Sequence, residues 1–142
     1  MCGRYLFWDS NNQNLKKLID YAEETLPEEV FSRVSIKEAR PGTLCFAGMY
    51  DEKCRKYRSG LMKWGYERMK KLVINARSET WQNSPFFHGS QPCVLPCAGY
   101  YEWDHAKHRH LIHTGEEILY LGGLYHMENN SPVFVIVTEE AD

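Results

Sequence analysis

A chain of 142 residues, 43% hydrophobic and 25% charged, has room for one domain with a buried core. No apolar run approaches the length of a membrane span, and no basic segment followed by an apolar one opens the chain, so an intracellular protein is expected. The net charge of −2 hides an uneven spread: Lys53 to Arg77 holds nine Lys or Arg against Glu67 alone, while Glu116 to Asp142 holds six acids and no Lys or Arg. Such a basic middle suits a polyanion lying across one face, or simply a solvated surface.

In chain order, Cys2 to Trp8 reads as a strand that brings the N-terminus into the domain. Gln13 to Thr25 reads as a helix, with Leu15, Leu18, Ile19 and Ala22 along one side. Pro27 closes it. Thr43 to Tyr50, Leu61 to Trp64 and Leu72 to Ala76 read as short strands between charged or Gly-containing turns. A short helix is expected over Ser78 to Trp81, with Ser78 near its cap and Pro85 beyond it. Cys93 to Pro96, Gly99 to Trp103, Leu111 to His113, Ile118 to Leu124 and Val133 to Thr138 complete a strand-rich second half. Gly122-Gly123 marks a bulge or a close backbone approach. The fold class expected is α+β: a curled or barrel-like mixed sheet with a few short helices. Alternation puts Tyr100 and Glu102 on one side of their strand and Tyr101 and Trp103 on the other. The same rule puts Val73, Asn75 and Arg77 opposite Leu72 and Ile74.

Five cysteines, Cys2, Cys45, Cys54, Cys93 and Cys97, are an odd number without the density of a disulfide framework, so free thiols are expected. Cys2 is the residue that stands out. Removal of Met1 would leave one residue bearing both an α-amine and a thiol. That amine has a reference pKa of about 7.7–8.0, so roughly a tenth of it is unprotonated at neutral pH. The pair can attack an aldehyde in two steps, the amine forming a Schiff base and the sulfur then closing a five-membered thiazolidine. The plain alternative is an incidental Cys at a frayed terminus.

Four segments give Cys2 a context: Met-Cys-Gly-Arg at 1–4, Lys63-Trp64-Gly65, Asn75-Ala76-Arg77-Ser78-Glu79-Thr80, and Gly99-Tyr100-Tyr101-Glu102-Trp103. In order and spacing they resemble the SRAP family, the SOS response-associated peptidases, from Met1 to about Glu140. The resemblance implies that Cys2 is a nucleophile that bonds to the ring-opened sugar of an abasic site in single-stranded DNA. It implies that Asn75 hydrogen-bonds the N-terminal residue or the sugar, and that Glu102 handles protons. Arg4, Trp64 and Arg77 fall at positions of the DNA groove. The chemistry is compatible. A carboxylate walled by Tyr and Trp loses solvation and can deliver a proton to a leaving oxygen. A guanidinium pairs with phosphate, and an indole face stacks an unpaired base. Neither cofactor nor metal is expected. Nor is a membrane partner, and a monomer in the cytoplasm or nucleus follows unless a second chain completes the domain.

Family members continue past the strand matching Phe134 to Thr138 to a His-Asp-Arg-Met-Pro motif that lies beyond Asp142. A single domain lacking that segment is therefore the expectation for residues 1–142. Gln91-Pro92 stands where relatives often carry Arg, and Ala39-Arg40-Pro41-Gly42 is the nearest counterpart of an Asn-x-Ala-Pro stretch. Three further readings stay open. His105, His108, His110 and His113 lie near Cys93 and Cys97, but without the paired spacing of common zinc sites. An N-terminal Cys could also serve a peptidase limited to removing its own leader, and a binding module without chemistry is the third possibility.

Overall fold

A computed structural model describes residues 2–113, 115 and 117–139. The N-terminal segment contributes a two-residue strand, β1 (Tyr5–Leu6), rather than the longer strand expected. The ladder stops because the backbone turns off it. The amides of Phe7 and Trp8 both donate to the carbonyl of Lys37, at 2.6 and 3.3 Å, and Ala98 N donates to the carbonyls of Leu6 and Phe7. Helix α1 covers Gln13–Thr25 as expected, burying Leu15, Ile19 and Ala22 at the i, i+4, i+7 spacing of one face. Its cap is Asn12, fully buried, whose Oδ1 accepts from Leu15 N at 3.1 Å while Nδ2 donates to Glu117 O at 3.2 Å. One side chain thus starts the helix and ties it to a distant loop. A single turn, α2 (Glu28–Phe31), follows Pro27.

Strands β2 (Glu38–Ala39), β3 (Leu44–Asp51), β4 (Lys56–Trp64), β5 (Tyr66–Arg68), β6 (Lys71–Val73) and β7 (Asn75–Arg77) fill the middle of the chain. The strand expected over Leu72 to Ala76 is broken in two at Ile74. Before the break, β6 folds back on β5 through Met69 and Lys70, both with positive φ, a tight two-residue turn. After it, β7 runs beside a different strand. The carbonyl of Ile74 is drawn inward by two donors, Trp64 Nε1 and Ile136 N, each at 3.0 Å. Gly65 makes the close packing there possible. Its φ is +127°, and a Cβ at that position would sit 2.3 Å from Leu72 Cγ.

Ser78 caps no helix. Its amide extends the sheet by donating to Thr138 O at 2.9 Å, and its hydroxyl donates to Glu79 Oε1. Two 3₁₀ turns come later, Trp81–Asn83 and Pro85–Phe87, the second capped by Ser84. Strands β8 (Gln91–Cys97), β9 (Gly99–Trp103), β10 (Arg109–His113), β11 (Leu119–Glu128) and β12 (Ser131–Thr138) complete the fold.

Among the described residues the larger sheet runs β11-β8-β3-β4-β12-β7, and β12 also pairs with β11, closing five strands into a barrel. Closure needs tight spots. A Cβ on Gly123 would lie 2.7 Å from Leu95 Cδ2 and 2.9 Å from Val135 O, the close approach expected of the Gly pair. A second sheet, β10-β9-β1-β2, leans on the barrel. Tyr5, Phe7, Trp64, Leu95 and Phe134 are among the buried residues of the core between them. The fold is α+β and strand-rich, with a barrel-like mixed sheet and short helices.

Candidate functional site

Strand β7 presents Asn75 to the start of the chain, across 73 residues of sequence. Cys2 N donates to Asn75 Oδ1 at 3.0 Å, and Asn75 Nδ2 donates back to the Cys2 carbonyl at 2.8 Å. An amide side chain satisfies both backbone groups of one residue, so the terminus is held at two points instead of fraying. Asn is well suited to this, since it offers a donor and an acceptor in one plane. The geometry of β7 comes from parallel pairing with β12, in which Asn75 lies opposite Ile136 and Arg77 opposite Thr138. Trp64 reinforces it by gripping the carbonyl just before Asn75.

The Cys2 thiol is half-buried and donates weakly to Arg4 O at 3.6 Å. Burial pushes this thiol up from its ordinary value, with a backbone hydrogen bond at Arg4 acting the other way. Cys2 opens into a cleft of about 610 Å³, walled on one side by Tyr100, Tyr101, Glu102 and Trp103 of β9 and on the other by Ile136, Val137 and Thr138 of β12, with Glu139 beyond. Burial and the neighbouring Glu102 carboxylate push the Tyr100 hydroxyl up. Glu102 itself is exposed, so the desolvation expected from its aromatic neighbours is not provided by the fold.

Beside the cleft lies a charged cluster. Glu38 Oε2 faces Arg4 Nη1 at 3.4 Å and Arg40 Nη2 at 3.9 Å, while Glu38 Oε1 accepts from the Tyr101 hydroxyl at 2.7 Å. Arg109 stacks its guanidinium 4.4 Å from the centre of the Tyr101 ring. Arg77, on the same face of β7 as Asn75, is exposed.

The family model for SOS response associated peptidases (SRAP) matches residues 1–142. The chain belongs to the SRAP family. A solved structure agrees on the fold: a phage-related protein from Bordetella bronchiseptica superimposes with a TM-score of 0.63 at 23% identity, over 97% of this chain and 69% of that one. None of the curated proteins matches the sequence.

Of the residues that the SRAP motifs single out, Cys2, Asn75 and Glu102 lie together around the cleft and its floor. Arg4 lies two residues from Cys2 and is tied to Glu38. Trp64 does not belong with them. It is fully buried, 5.4 Å from Tyr5 and 5.9 Å from Phe134 between ring centres, with no face left for a base. Alternation on β4 explains this, because Met62 and Trp64 both turn inward to the core. The aromatic surface open at the SRAP cleft is Trp103, 64% exposed. Arg109 was not singled out in the sequence, and Arg40 only as part of the Ala39-Arg40-Pro41-Gly42 stretch, since only the antiparallel register of β2, β1, β9 and β10 places them around Glu38 and Tyr101. The basic stretch from Lys53 to Arg77 is partly neutralised in place, with Arg58 paired to Asp51, Lys63 to Glu67 and Arg68 to Glu128. In the His-rich hairpin, Asp104 takes His110 at 2.8 Å and His108 at 3.5 Å. Among the described residues no group of three or more His, Cys, Asp or Glu is arranged to hold a metal ion, and no helix is long and apolar enough to cross a membrane. Met1 and Glu140 to Asp142 lie outside the described residues.

Proposed function

We propose that this SRAP chain recognises abasic sites in single-stranded DNA and bonds to them through Cys2 once Met1 has been removed. The observation that carries this reading is the two-point hold of Asn75 on Cys2 at the mouth of a cleft. A frayed, incidental cysteine would need no such partner. The nitrogen that donates to Asn75 Oδ1 is a peptide amide while Met1 is attached, and becomes the α-amine when Met1 leaves. One N–H then stays on Asn75 and the lone pair is free to attack.

The chemistry is a condensation that releases one water. The amine lone pair adds to the aldehyde carbon of the opened sugar, giving a carbinolamine. Its hydroxyl leaves as water with a proton delivered from the cleft, where Glu102 is the nearest acid on β9 to supply or relay it. The sulfur then adds to the imine carbon, its proton passing to the nitrogen, and the thiazolidine closes. Burial pushes the thiol up from its ordinary value, which favours amine attack first and ring closure second. Trp103 offers a face for a flanking base, and Arg77 a charge for phosphate.

The test is a denaturing gel of Met1-processed protein with single-stranded DNA holding one abasic site, beside a Cys2→Ala variant. A band shifted without borohydride in the wild type and absent from the variant is expected. Absence of the band, with the free Cys2 amine verified by mass spectrometry, would leave a DNA-binding module without chemistry as the better account.

A further inference from the structure

Helix α1 covers only part of the outer face of the barrel. Met62 and Trp64 turn inward from β4, so Tyr57 and Ser59 face out. The registers carry that outer face to Tyr50 and Gly48 on β3, Val94 on β8 and Gly122 on β11. Two residues from Gly122, Tyr120 lies opposite Pro96 on the same side. Leu18 and Asn14 of α1 border this surface together with Ile118, and the part left open is a trough of about 540 Å³. Its floor is bare. Gly48 has no side chain, and a Cβ on Gly122 would meet nothing within 4 Å. Tyr57 and Tyr120 stand at opposite corners, 82% and 63% exposed, and Tyr57 meets Tyr50 edge-on at 5.1 Å between ring centres. Three interstrand spacings and about four residues along the strands put those corners at most roughly 19 Å apart, the reach of about six extended residues. The trough shares no lining residue with the Cys2 cleft.

Charge around the trough is confined to one end. Among the described residues that line it, Arg58 is the one charged side chain. Its guanidinium is already engaged: Nε lies 2.9 Å from Asp51 Oδ2, and Nη2 donates to Cys54 Sγ at 3.3 Å. Asp51 is engaged too, its Oδ1 accepting from the amides of Lys53 and Cys54 at 3.0 and 3.4 Å. That leaves Lys53, Arg55 and Lys56 exposed on the turn between β3 and β4, beside Tyr57, with Glu52 as the opposing acid. We infer that the trough docks a short extended peptide of a partner protein, an apolar stretch of about six residues lying between the two tyrosines, with acidic residues at the end nearest that turn. Neutral walls favour a peptide over a nucleic-acid strand, which brings a phosphate with each nucleotide and needs cations along its whole path. The exposed rings and Val94 offer on the order of 500 Å², short of the roughly 800 Å² that each partner gives to a stable interface between folded proteins. A second folded copy is therefore a poor occupant, and an extended segment a good one. Tyrosine rings give it rigid apolar contact, and prolines within it lower the entropy lost on docking. Acids at one end alone fix the direction in which it lies.

The experiment uses the full chain and a fluorescein-labelled peptide, Asp-Glu-Asp-Leu-Pro-Phe-Leu-Pro-Phe, with binding read by anisotropy. Saturable binding is expected, weakened about tenfold or more by Tyr57→Ala with Tyr120→Ala. Gly122→Leu should weaken it likewise, since it adds bulk to the bare floor where space is open, and should leave Tm unmoved. Replacing the three acids of the peptide by Asn-Gln-Asn, or Lys53→Glu with Lys56→Glu in the protein, should lower affinity and flatten its dependence on salt. No saturable binding to the wild type would overturn the inference, as would equal binding by the wild type, the tyrosine pair and Gly122→Leu. So would an undamaged single-stranded oligonucleotide that competes with the peptide and is lost in the same variants, because the trough would then belong to nucleic acid. Every one of these readings is independent of the chemistry at Cys2.

Discussion

Asn75 offers the sharpest handle on the site, because two substitutions of it should fail in different ways. Asn75→Ala removes both hydrogen bonds to Cys2, of 3.0 and 2.8 Å. At a net worth of about 1 kcal/mol each, the loss is roughly 2 kcal/mol, enough to free the terminus about thirtyfold more often. Crosslinking to an abasic oligonucleotide should slow by that order at every pH. Asn75→Asp keeps the shape and the acceptor but sets a negative charge about 3 Å from the amine. Even at bulk-water screening that charge is worth about 1.4 kcal/mol, or about one pKa unit, in favour of the ammonium. The sign follows directly: a raised amine pKa lowers the reactive fraction at neutral pH and leaves it untouched well above the new value. The Asp variant should therefore be roughly tenfold slower at pH 7, with part of the deficit recovered as pH passes about 9. Rates from quenched time points on a denaturing gel, taken from pH 6 to 10, separate the two patterns. Identical pH profiles for wild type and Asn75→Asp would refute the claim that Asn75 holds the nucleophilic nitrogen.

The two tryptophans make opposite predictions. Trp64→Phe loses the donor to Ile74 O and should lower stability by about 1 kcal/mol in urea, a structural effect. Trp103→Ala, on an exposed ring, should leave the urea midpoint nearly unmoved and weaken oligonucleotide binding by about 1–3 kcal/mol. Gly65→Ala sets a Cβ against Leu72 at a φ of +127° and should cost more than about 2 kcal/mol, read as a fall in Tm. At alkaline pH the buried thiols govern the outcome. Burial pushes Cys93 and Cys97 from 9.0 to about 12, so the folded state holds their protons after the unfolded chain has released them. Their contribution is intact below pH 9 and is lost as pH climbs toward 12, at roughly 1.4 kcal/mol per pH unit per thiol at most, which denaturation curves between pH 8 and 11 can follow.

Helix α1 was legible because its period carries the whole signal: apolar residues at 15, 19 and 22, and a proline after the end. Strand β9 was legible for a similar reason, five residues bounded by a glycine and an acidic turn. The break at Ile74 was not. Leu72 to Ala76 has uniform strand character, and what divides it is a change of partner, from β5 to β12, together with the pull of a distant indole. Tertiary pairing overrode local propensity. The same cause separates the two tryptophans. Lys63-Trp64-Gly65 and Glu102-Trp103 look equally functional as strings, and only the orientation of each strand against the core decides which indole is covered. Cys2 and Asn75 could be named from their motifs. That they touch, and through which atoms, is a property of β7 lying beside β12. The grouping of Arg4, Arg40 and Arg109 around Glu38 and Tyr101 carries no local signal, since it exists only across four strands.

The anchoring of the N-terminal segment also sets an order of events. The partners described above for it are all made later: Lys37 and, on β2, Glu38 and Ala39, then Asn75, then Ala98 and, on β9, Gly99 and Tyr100. While the ribosome is still producing those residues, Cys2 hangs from the nascent chain with nothing to dock against. An aminopeptidase that must grip Met1 and Cys2 in an extended form has that interval to work in. Once β9 has emerged and Asn75 has closed on Cys2, the same end is folded against the protein. If Met1 is removed as proposed, trimming belongs to the period of synthesis, and chains produced faster than they are trimmed would fold with the amine still capped. A population so divided would share one fold, and only its trimmed fraction would be reactive.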